Sequence, residues 1–151
     1  MSICWYSDDE IEIIFDKIPN LNIQYLAPWM TPKQIEQVNK KPFVCTADLR
    51  VVLIDKIEQE TYEFLIPAGY CWDGASIPRI FWRLIGSKND QRFLVPSLIH
   101  DVLCENKDYV DNDRYFSTIV FERLLYVSKV NPFNRWLIKH FVDNYQKFCG
   151  W

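Results

Sequence analysis

Apolar and polar positions divide the chain into a first half with short, strand-like runs and a second half with helical spacing. IEIIF at 11–15 is a short apolar run. LRVVLID at 49–55 and TYEFLIP at 61–67 are rich in β-branched and aromatic residues, and the polar KIEQE between them predicts an antiparallel pair joined by a turn. Thr31-Pro32 reads as an N-cap followed by a proline at the first helical position, opening a short helix through about Asn39. In the second half, Ser76 is placed to cap a short helix from near Pro78 to Gly86, and a second helix starts around Pro96. A third runs over 112–127 with Phe116, Ile119, Val120, Phe121, Leu124 and Leu125 as a broad apolar stripe. Asn131-Pro132 opens a last helix whose Phe133, Trp136, Leu137, Phe141, Tyr145 and Phe148 are spaced for burial, with His140 packed among them. This order predicts an α+β fold, a small antiparallel sheet from the N-terminal half with three to four C-terminal helices packed on it.

Composition supports a packed fold. The 151 residues are 49% hydrophobic and 16% aromatic, enough for one domain over 1–151, and no repeat or Gly/Ser/Pro-rich linker marks a boundary. The net charge of -3 gives no general pull toward nucleic acid or anionic membrane, and a nucleic-acid role would need a local basic patch. The acidic N-terminal stretch does not read as a secretory leader, and no run has the length of a membrane span. Five cysteines at wide spacings, with no CxxC pair, argue for a reducing compartment and a cytoplasmic location.

Two stretches carry candidate chemistry. On the helix near Pro96, Ser97, His100, Asp101 and Cys104 share one stripe, opposite Leu94, Leu98, Ile99, Val102 and Leu103. The plain reading is a solvated helix face, but such faces favour long charged side chains, and these are short, as suits a polar pocket. His100 is one of two histidines and titrates near neutrality, so it is the natural general base. Its neighbour Asp101 faces it poorly, which leaves Asp73 and Asp113 as carboxylates that could orient the imidazole. Asp113 in a first helical turn also suits the helix dipole alone. In YCWDGASIP, Gly74 permits a tight turn and Ser76 sits at a helix start, so Asp73 either projects beside an anion-binding N-terminus or satisfies turn amides. Cys104 with His100, Cys71 and Asp73 forms a weak zinc pattern, and Asp101 with Asp73 could hold a divalent cation.

The runs IPAGYCWDGASIPRIFW at 66–82, LIHDVL at 98–103 and DRYF at 113–116, with the closing FCGW, resemble domain-of-unknown-function family 1353, found in phages, prophages and bacteria. The resemblance covers about 43–151 and marks Asp73, Gly74, Ser76, Pro78, Trp82, His100, Asp101, Asp113 and Phe116 as pattern positions, while 1–42 reads as a lineage-specific addition. It implies no reaction.

Together these readings give two expectations. One is a phage-type hydrolase acting on a phospho-substrate such as a nucleotide-derived signal, in the host cytoplasm, with His100, Asp101, Asp113 and Asp73 catalytic. Trp72, Gly74, Ser76, Trp82 and Cys104 would line the ligand, and the cofactor, including a divalent metal, is left open. The other is a ligand-binding or assembly protein, with self-association open, in which the polar cluster is structural and Trp5, Trp29, Tyr70, Trp72 and Trp82 supply an aromatic surface for a ligand base or a protein partner.

Overall fold

The computed structural model describes residues 2–24, 26–72, 91–110 and 114–148, without the side chains of 91 and 145–148. In chain order the elements are β1 (Ile3–Ser7), β2 (Ile11–Phe15), β3 (Leu21–Ile23), α1 (Pro32–Lys40), β4 (Phe43–Cys45), β5 (Leu49–Asp55), β6 (Glu60–Ile66), β7 (Cys71–Trp72), α2 (Leu94–Glu105), α3 (Arg114–Val127) and α4 (Pro132–Phe148). The α+β expectation holds. The strands form two antiparallel sheets, one ordered β1-β2-β5-β6 and a smaller one ordered β3-β4-β7.

Alternation decides which face of each strand is buried. Ile11, Ile13 and Phe15 on β2 and Leu49, Val51 and Leu53 on β5 point inward and are 2% exposed or less. The β5–β6 turn is closed by Asp55, whose carboxylate accepts the amides of Ile57 and Glu58, and Gln59 takes the left-handed conformation (φ 57°). At α1 the expected cap is present: Thr31 accepts the Gln34 amide while the Gln34 side chain accepts the Thr31 amide.

The helices stack in two steps on the sheets. α2 and one side of α3 complete a core with the inner strand faces through Leu98, Ile99, Leu103, Phe116, Val120 and Leu124. The other side of α3, through Phe121 and Leu125, meets Phe93, Val130 and the α4 residues Ile138 and Val142. This double burial explains why the α3 stripe is broad. Removing one such side chain to alanine costs about 2–5 kcal/mol. Between α3 and α4 the amide of Val130 bonds the Leu125 carbonyl and Lys129 adopts φ 66°, a Schellman stop, after which Asn131 caps α4 through the Asn134 amide.

Three sequence expectations change. β1 is a strand that the sequence reading passed over, and a bulge at Trp5 turns that ring against Phe15, 5.1 Å between centroids. On α4 the aromatic stripe faces outward: Phe133 is 63% and Trp136 56% exposed, and His140 is exposed beside Trp136 rather than packed in the core. Among the described side chains of α4, Asn134, Ile138 and Val142, spaced by four, are buried, and Leu137 packs beside them. The expected helix from Pro78 to Gly86 lies outside the described residues.

Candidate functional site

α2 is buried along most of its length, and its half-buried positions include three of the titratable ones. Leu94, Pro96, Ser97, Leu98, Ile99, Val102 and Leu103 are buried, while His100, Asp101 and Cys104 are half-buried. Ser97, expected on the polar stripe, is 2% exposed; its hydroxyl accepts the Trp72 indole N–H at 2.9 Å and donates to the Leu94 carbonyl at 3.1 Å. That buried pair of bonds ties β7 to α2 one turn before His100.

Trp72 is therefore not the ligand-facing ring expected from the sequence. It is 1% exposed, packs 5.6 Å from Phe43, and serves the core. Of the other expected aromatic-surface residues, Trp5 is half-buried, Tyr70 stacks on Trp72 and donates to Glu105 at 2.9 Å, and Trp29 is 75% exposed.

The His100 ring packs against Phe121, 4.9 Å between centroids. Cys104 Sγ lies 3.7 Å from Nδ1 and 3.9 Å from Nε2. A sulfur in line with one ring N–H would be much farther from the other nitrogen, so near-equal distances place it against the ring rather than on a proton-transfer axis. Cys104 thus lines the imidazole without forming a thiol–imidazole nucleophile pair.

Cys71 does not join this group. It alternates with Trp72 and lies on the opposite face of β7, where Gln24 donates to its sulfur at 3.3 Å. Among the described residues no group of three or more His, Cys, Asp or Glu side chains is arranged to hold a metal ion, so the zinc pattern read from spacing has no set there. Asp73, Gly74, Ser76, Trp82 and Asp113 lie outside the described residues.

A second titratable cluster, missed in the sequence, pins the β1–β2 turn to α3. Arg123 Nε donates to Asp8 at 2.8 Å, its Nη2 lies 3.4 Å from Glu10, and its Nη1 is paired with Glu122. Tyr6 donates to Asp8 at 2.7 Å, and Asp8 also accepts the amides of Glu10 and Ile11. Burial alone would raise the Asp8 carboxyl, but hydrogen bonds from Tyr6 and Arg123 outweigh it and hold it well below the usual carboxylate range. Burial, then the Asp8 hydrogen bond and charge, push the Tyr6 phenol up to about 12. The available sequence signal was an acidic turn at 8–10 directly after the strand-like ICWYS, with the Glu122-Arg123 pair interrupting the apolar third helix.

Among the described residues no helix is long and apolar enough to cross a membrane. No solved structure matches the chain significantly. The chain is 42% identical over 50 residues to the "Uncharacterized protein y4jT" of Sinorhizobium fredii, a stretch that covers 33% of this chain and 15% of that protein. The model of the family described as "Protein of unknown function (DUF1353)" matches residues 50–142, which hold β5, β6, the Trp72 anchor, the His100 helix and α3, and with more than half of its length so matched the chain belongs to that family.

Proposed function

We propose that this protein is a small hydrolase of phosphate esters, such as a nucleotide-derived signal, with His100 as general base. The observation that carries the reading is the buried Trp72–Ser97 bond, which anchors the residue preceding Asp73 to the helix that bears His100 and Asp101. In the reaction a water attacks phosphorus and passes its proton to His100, the ester P–O bond breaks, the leaving oxygen takes up a proton from solvent, and His100 releases its own to solvent. Asp113 or Asp73 orients the imidazole, and backbone N–H groups after Asp73 receive the phosphate. Gly74, Ser76, Trp82 and Cys104 line the ligand. Asp101 and Asp73 are the carboxylates that would meet a divalent cation, and the step is written without one.

Thiols at Cys4, Cys45 and Cys71 suit a reducing cytoplasm, that of the host if the chain is phage-encoded. The test is phosphorus NMR of bis(p-nitrophenyl) phosphate and cyclic AMP incubated with wild-type protein and with His100→Gln. Turnover by the wild type alone supports the assignment, and equal turnover by both defeats it.

A second reading rests on the Phe121 contact. A histidine packed on a core aromatic ring also suits a binding or assembly protein in which the cluster only fixes α2 against α3. In that case His100→Ala lowers stability by about 1–3 kcal/mol and changes no turnover.

A further inference from the structure

The segment before the family match builds a groove of its own. α1 contributes no buried residue; only Ile35 and Val38 are half-buried, so the helix adds little to the core. It instead walls a groove of about 350 Å³ against the outer face of the β3-β4-β7 sheet, lined by Gln24, Trp29, Met30, Gln34, Val38 and Lys41. Because Cys71 also lines it and Trp72 points the other way, the groove lies across the small sheet from α2, and its occupancy does not depend on the His100 reading.

We infer that this groove binds a nucleoside monophosphate. Trp29, 75% exposed at the groove, offers a flat ring on which a base can stack. Of the three glutamines that line the groove, Gln24, Gln34 and Gln37, the first two are partly committed, and that fixes what these two present. Gln24 donates both to the Lys41 carbonyl at 2.7 Å and to Cys71 at 3.3 Å, which leaves its side-chain oxygen as acceptor. The Gln34 oxygen takes the Thr31 amide, which leaves its NH2 as donor. A base edge carrying both an amino group and a ring-nitrogen acceptor satisfies this pair.

The charge is local as well. Lys33, Lys40 and Lys41 face only Glu36 on this helix, and Glu36 is taken by Lys40 at 3.3 Å. Lys41, at the groove, has no carboxylate within ion-pair distance among the described residues. One or two ammonium groups suit a single phosphate and not a polymer, in keeping with the overall charge of -3.

Isothermal calorimetry of the full chain with AMP, adenosine and inorganic phosphate tests the inference. Wild-type protein should bind AMP saturably, adenosine more weakly, and phosphate weakest. Trp29→Ala should weaken AMP about tenfold or more, as expected for loss of one base–aromatic stack. Lys41→Gln should weaken AMP severalfold while leaving adenosine unchanged. Both side chains lie outside the core, so folding is checked by the melt, and Trp136→Ala, at an exposed ring on α4, should bind AMP like wild type. Absence of saturable AMP binding by the wild type, wild-type affinity in Trp29→Ala, or equal losses for AMP and adenosine in Lys41→Gln would overturn it.

Discussion

Two sets of titratable side chains flank α3, and their neighbours differ in kind. Arg123 is held by carboxylates that match its charge and geometry, Asp8, Glu10 and Glu122, with the Asp8 charge further fixed by Tyr6 and two amides. His100 packs on the Phe121 ring with the Cys104 sulfur beside it, contacts of a different kind from an ion pair. The lesson is that saturation by opposite charge marks a structural pin.

The comparison predicts its largest effect at the pin. Arg123→Ala leaves three carboxylates together beneath the β1–β2 turn and should lower stability by about 2–4 kcal/mol in chemical denaturation. A loss under about 0.5 kcal/mol would mean that the pin is ornamental. Its pH dependence follows from the directions of shift. The Asp8 carboxyl is depressed in the fold, so its contribution is present above the unfolded value near pH 4 and disappears as pH falls below that. The Tyr6 phenol is raised to about 12, so its contribution is intact below about pH 10 and is lost between there and 12. Melting curves across both windows should show these two declines, and Asp8→Asn should flatten the acid limb.

A smaller effect separates buried from exposed indoles. Trp72→Phe keeps the ring in the core but removes the N–H bonded to Ser97, for an expected loss of about 1–2 kcal/mol. Trp136→Ala, at a side chain 56% exposed, should stay within about 0.5 kcal/mol of wild type. Equal losses at the two positions would reverse the assignment of the α4 faces.

Much of this fold was legible in the sequence. The β5 and β6 segments, the α1 cap and the end of α3 follow from alternation, Thr31-Pro32 and a continuous apolar stripe, all of them local signals. The orientation of α4 was not, because its sequence carries two apolar stripes, Phe133/Trp136 and Ile138/Val142, and only the shape of the α3 groove chooses between them. The Arg123 pin was hidden for a related reason: Asp8 and Glu10 lie more than a hundred residues from it, and no local pattern announces such a contact. Of the site, the sequence placed His100, Asp101 and Cys104 correctly on one half-buried face. It misread Ser97 and Trp72, because a hydroxyl and an indole that satisfy each other can be buried as cheaply as apolar groups.

The most direct test combines thermal melting and phosphate-ester hydrolysis on the same preparation of His100→Gln. The account predicts stability within about 1 kcal/mol of wild type, since a half-buried ring is replaced by a side chain of similar reach, together with loss of hydrolysis. A variant that melts well below wild type, with hydrolysis unchanged or absent from both proteins, would contradict it and leave His100 as a packing residue.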